Sequence, residues 1–126
     1  MTKTYSERLI EVLNLMAAEY NVQISVFPRF VHVPDEVATE ISDAIEYAPI
    51  SHSTIDSAII TVLSEIDAIF DSFAGKKDFW TQESMKNDST WNKLRLLARA
   101  ELEELGLPRT SPDLFWITYS QQKPIF

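Results

Sequence analysis

Cysteine is absent from this chain, which excludes disulfides, thiolate metal centres and cysteine nucleophiles. Glycine is almost absent, with two residues in 126, so neither a glycine-rich phosphate loop nor a flexible linker can be built. No apolar run approaches the length of a membrane span. The opening MTKTYSERLIEVLNLM interrupts with charge the apolar stretch that a secretory leader needs. These shortages together point to a cytoplasmic protein with no membrane segment, and a cysteine-free chain suits a reducing compartment. In that setting Asn87-Asp88-Ser89 is a set of turn residues rather than a glycosylation acceptor.

The most informative shortage is of positive charge. Between Phe30 and Gly75 there is no lysine or arginine, against nine acids: Asp35, Glu36, Glu40, Asp43, Glu46, Asp56, Glu65, Asp67 and Asp71. The remainder of the chain holds ten acids and eleven bases, so the net charge of −8 sits entirely in this middle third. Such a balance argues against binding a nucleic-acid backbone.

What is present is ordinary globular material, 45% apolar and 24% charged. The length suits one globular domain spanning residues 1–126, which buries roughly two-thirds of its unfolded surface without a metal or disulfide. Thr4 and Glu7 form a capping-box pair ahead of Leu9, Val12, Leu13, Met16 and Tyr20 at helical spacing. Val22, Ile24 and Val26 then alternate with Gln23 and Ser25, which predicts a half-buried strand, and RFVHV a second extended piece after Pro28. Pro34-Asp35 opens a second helix with Val37, Ile41, Ala44, Ile45 and Ala48 on one face, stopped by Pro49. Ser53 or Thr54 starts a third, whose stripe of Ile55, Ile59, Val62, Ile66, Ile69 and Phe73 ends near Gly75. A short helix around Trp80–Met85 is followed by a fourth long one capped by Ser89, with Trp91, Leu94, Leu97, Ala98, Leu102 and Leu105 on one side and Gly106 beyond. In the terminal segment Ser111-Pro112-Asp113 has helix-start chemistry, but LFWITY is aromatic and β-branched and favours a strand that could pair with the two earlier ones. The fold class expected is therefore α+β, mainly helical: about four helices packed with a small sheet of two or three short strands.

Chemical motifs are scarce. His32 and His52, the only histidines, match no metal-ligand spacing, and no metal or other cofactor is expected. The stretch from Asp71 resembles a calcium loop only until its third, fifth, sixth and twelfth places are read, which are Phe73, Gly75, Lys76 and Gln82. No nucleophile elbow is present. In the fourth helix Lys93, Arg95 and Arg99 lie towards the start and Glu101, Glu103 and Glu104 towards the end, the reverse of what the helix dipole prefers. Asp67 and Asp71 offend in the same way at the end of the third helix. The simpler explanation is that the fourth helix's bases pair with the acidic middle third across the fold. The functional one is that the acidic face is kept for a basic partner.

Three functional expectations follow. The leading one is a small acidic interaction protein, an inhibitor, immunity, antitoxin-like or adaptor factor, docking Glu36, Glu40, Asp43, Glu46, Asp67 and Asp71 on a basic protein. The alternative is a small-molecule-binding or enzymatic domain with an apolar pocket lined by Trp80, Trp91 and Trp116, with His32 beside it. The third is a homo-oligomer assembled through the apolar tail or a helix face.

Overall fold

The computed structural model describes residues 4–48 and 53–117, and they contain six α-helices, one 3-10 turn and no strand. In chain order the helices are α1 (Tyr5–Ala17), α2 (Tyr20–Ser25), α3 (Val33–Glu46), α4 (Thr54–Ser72), α5 (Gln82–Asn87) and α6 (Ser89–Glu104), with the 3-10 turn at Lys77–Trp80. The expected α+β architecture is therefore wrong: among the described residues the fold is all-helical.

Helix α1 is the axis. Its first turn is closed by the capping box read from the sequence, with the Glu7 amide donating to Thr4 Oγ1 (3.1 Å) and the Thr4 amide to Glu7 Oε1 (3.0 Å). From Val12 to Ala17 every residue is buried, because α1 packs against α3, α4 and α6 at once. Around it Val37, Ile41 and Ala44 of α3, Ile59, Leu63 and Ile66 of α4, and Leu94, Ala98 and Leu102 of α6 complete the core. Each set repeats at three- and four-residue spacing, the pattern that turns one helical face inward. Ser53 caps α4 by accepting from the Asp56 amide, whereas α6 is capped by Asp88, one residue earlier than expected.

The alternation in Val22–Val26 misleads for a specific reason. Two extended residues, Ala18 and Glu19, separate α1 from α2, and the chain then re-enters helix. A strand would have put Gln23 in solvent; instead its side chain is fully buried and its Nε2 donates to the Leu15 and Met16 carbonyls at 3.0 and 3.2 Å. Those carbonyls belong to the last turn of α1, where Leu15 is otherwise met only by the Ala18 amide at 3.4 Å. The polar residue faces in because the end of a buried helix needs it there. Likewise RFVHV is no strand: Val31 closes a turn on the Pro28 carbonyl, and His32 is the residue before α3.

The terminal segment is neither the expected strand nor a helix over residues 110–117. Helix α6 ends with Gly106 at φ +68°, the Gly106 amide on the Glu103 carbonyl and the Leu107 amide on that of Leu102. This is a Schellman ending. Replacing Gly106 by alanine meets no neighbouring atom within 4 Å, so only backbone strain opposes it. We expect that substitution to lower stability by about 1 kcal/mol, read as an earlier thermal midpoint. Beyond it residues 107–117 form a strap held on α1 and α3 by side chains: the Thr110 amide on Asn14 Oδ1 (2.8 Å), the Asp113 amide on Glu11 Oε1 (2.8 Å) and Trp116 Nε1 on Glu40 Oε1 (2.7 Å). With its donors taken by α1 and α3, the strap has no sheet to join. The question of a free apolar handle at Pro124–Phe126 lies outside the described residues, as does His52.

Candidate functional site: an acidic groove between α3 and α4

The bases of α6 do not neutralise the acidic middle third. Arg95 is buried at 4% exposure, its Nε donating to Gln23 Oε1 (3.1 Å) and its Nη2 to the Met85 carbonyl. Arg99 turns its Nε to the Ala17 carbonyl at 2.7 Å. Both arginines thus satisfy backbone and amide acceptors around the end of α1. The pairing across the fold that the charge map suggested is not made by either. Among the described residues two contacts pair a basic with an acidic side chain, Arg8 with Glu40 at 3.9 Å and His32 Nδ1 with Asp35 at 2.6 Å.

The six acids expected to face a partner divide by position. Glu40 is buried at 5% exposure beneath Trp116, so it is no part of an open face, and Glu36 lies half-buried beside it. Asp43 is half-buried and Glu46 exposed on the same helix. Asp67 and Asp71, one turn apart near the end of α4, rim an open groove of about 220 Å³. Ala38, Thr39 and Ser42 of α3 form its other wall, while Phe70, Ala74 and Trp80 supply apolar surface. Partial burial, and then the charge of Asp71, raise the Asp67 carboxyl above its ordinary value. Glu101 is raised in the same sense by burial and by Glu104 and Glu65, so like charges also meet where α6 packs on α4. The last turn of α4 contains no base, and its helix dipole therefore adds to the negative potential around Asp67 and Asp71.

The aromatic residues weighed as a pocket lie in two separate groups. Trp91 is fully buried, stacked on Phe79 at 5.2 Å between centroids, with its indole N–H on the Phe79 carbonyl. Trp80 stands edge-on to it at 6.2 Å and donates to the Phe73 carbonyl, leaving part of its ring to the acidic groove. Trp116 belongs to the other group, against Arg8 and Glu40. His32, paired with Asp35 on the surface, joins neither set of contacts. Among the described residues no three histidine or carboxylate groups converge as metal ligands, and no helix is long and apolar enough to cross a membrane.

Sequence reasoning found Asp67 and Asp71 but not the neutral residues that make them a groove. Ala38, Thr39 and Ser42 carry no signal in the sequence; it is the packing of α3 on α4 that sets them opposite the two acids. Comparison with known protein families, with characterised proteins and with solved structures finds no match to this chain.

Proposed function

We propose that this is a small interaction protein whose α3–α4 groove receives a lysine or arginine side chain from a basic partner protein. The observation that carries the reading is the pair Asp67 and Asp71: among the described residues neither has an ion-pair partner, and together they rim apolar surface that includes Trp80. A guanidinium or ammonium group entering there gains both carboxylates, the dipole at the end of α4 and the ring of Trp80. Asp43 and Glu46 extend the same charge along α3 and steer approach rather than grip, since exposed charges act mainly on encounter rate. The absence of cysteine is compatible with a cytoplasmic setting.

The test is a titration of the labelled protein with a short peptide of alternating arginine and glycine, followed by amide and indole chemical shifts. Changes are expected at Ala38, Ser42, Asp71 and the Trp80 indole. They should weaken steeply as salt is raised, because the screening length falls from roughly 30 Å at 0.01 M to about 8 Å at 0.15 M. The double variant Asp67→Asn/Asp71→Asn should lose at least tenfold in affinity, which is about 1.4 kcal/mol. Shifts spread evenly over every acidic surface, or undiminished in the double variant, would count against the groove.

A further inference from the structure

We propose that the strap of residues 107–117 is a pH-dependent latch, closed over Glu40 while the Glu36–Glu40 pair holds a proton and released when both carboxylates are ionised. The geometry has three parts.

The strap is an add-on rather than a core element. It contains no helix or strand, and polar side chains of α1 and α3 hold it at three points: Asn14, Glu11 and Glu40. Apolar help comes from Pro112, which is buried, and from Leu107, Leu114, Trp116 and Ile117, which are half-buried.

Its last anchor sits on a charge that water cannot reach. Trp116 donates to Glu40 at 2.7 Å, the Glu40 side chain is 6% exposed, and the Arg8 guanidinium lies 5.1 Å from the centre of the Trp116 ring. Arg8 reaches Glu40 only at 3.9 Å, and its own buried Nε has no hydrogen-bond partner among the described residues. The compensation offered to an ionised Glu40 is thus incomplete, and closing the strap leaves a buried donor unmet.

A second carboxyl shares the proton. Glu36, one turn earlier on α3, is hydrogen-bonded to Glu40 and repels it when ionised. The charges acting on Glu40 are Arg8 from α1 and Glu36 from its own helix, with the neutral Trp116 indole from the strap; those acting on Tyr5 at the neighbouring α1–α4 junction are Asp56 and Arg8. Burial first, then Glu36, raises the Glu40 carboxyl to about 7 despite the opposing effects of Trp116 and Arg8.

The sign follows from linkage. Opening the strap returns Glu40 to water and lowers its pKa towards the ordinary glutamate value of 4.5. The closed state therefore binds the proton more tightly. Closure is strongest below about 4.5 and weakens by up to about tenfold per pH unit until roughly 7, after which it levels off.

Hydrogen exchange tests this on the intact chain, since the Thr110 and Asp113 amides are themselves latch contacts. Protection is measured from pH 5.5 to 8.5 relative to the intrinsic exchange rate, in the wild type, Glu40→Gln and Glu36→Gln. The expected wild-type result is a fall of about thirtyfold at both amides by pH 8, with protection in α4 unchanged. Glu40→Gln, whose amide oxygen still accepts from Trp116, should hold the strap closed throughout. Glu36→Gln should shrink the fall, and it decides the matter alone if Glu40→Gln does not fold. Flat protection in the wild type, an undiminished fall in either variant, or a parallel loss in α4 would overturn the latch.

Discussion

Replacing Trp91 by alanine is expected to remove about 3–5 kcal/mol of stability, a large share of the roughly 5–15 kcal/mol that holds a domain of this size together. Trp91 is fully buried at the meeting of α4, α6 and the 3-10 turn. Its ring lies within 5.2 Å of those of Phe70 and Phe79, centre to centre, and Trp80 closes the edge at 6.2 Å. Truncation leaves a void that three rigid rings cannot collapse to fill, and it leaves the Phe79 carbonyl without the indole donor. Urea denaturation followed by circular dichroism measures the loss. Trp80→Ala, on a half-buried ring at the groove, should be milder by at least 1 kcal/mol and should act on peptide binding instead. Equal damage from both substitutions would mean that the two indoles do not divide into a core residue and a groove residue.

Arg95→Met should cost about 2–4 kcal/mol despite conserving most of the side chain's volume. An arginine at 4% exposure with no carboxylate partner among the described residues looks unfavourable, and burial and the neighbouring Arg99 do lower its pKa. What holds it is the set of acceptors around it. Gln23 Oε1 and the Met85 carbonyl receive its Nε and Nη2, while Gln23 Nε2 fixes the Leu15 and Met16 carbonyls. Methionine removes the charge but orphans two buried acceptors at about 1–3 kcal/mol each, an amount only partly offset by the desolvation avoided. Arg95→Lys should fare little better, because one ammonium cannot reproduce the planar fork that reaches both acceptors. A double-mutant cycle between Gln23→Ala and Arg95→Ala, again by urea denaturation, should show coupling of at least 0.5 kcal/mol. Additive losses would mean that α1, α2, α5 and α6 are not joined through this network.

Legibility in the sequence follows the range of the interaction. The Thr4–Glu7 box, the Ser53 cap, Gly106 and the apolar stripes of α1, α3, α4 and α6 were all readable, because each is decided within a few residues. The local misses are small, the cap of α6 at Asp88 instead of Ser89 and Ile55 left exposed at the start of the α4 stripe, and the larger failures are long-range. Gln23 reads as the polar half of a strand until Arg95, 72 positions away, places it in the core. Glu40 reads as a solvated helix acid until Trp116, 76 positions on, covers it. LFWITY, from Leu114 on, reads as a strand because aromatic residues suit a sheet, yet a strand needs a partner, and the candidate partners are helix and turn. The acidic middle third was legible as charge. That α6 would direct Arg95 and Arg99 to carbonyls was not, since nothing local tells an arginine bound for a carboxylate from one bound for the end of a helix.

The decisive question is whether the acids at the end of α4 are left unneutralised within the chain. Stability of the wild type and of Asp67→Asn/Asp71→Asn, measured by urea denaturation at about 0.01 M and about 0.5 M sodium chloride, answers it directly. If the two carboxylates repel each other and oppose the dipole of α4, the double variant is the more stable protein at low salt, by about 0.5–1 kcal/mol, and the gap closes at high salt. A double variant that is less stable at low salt would mean that Asp67 and Asp71 are paired inside the fold, and that the groove does not await a basic partner.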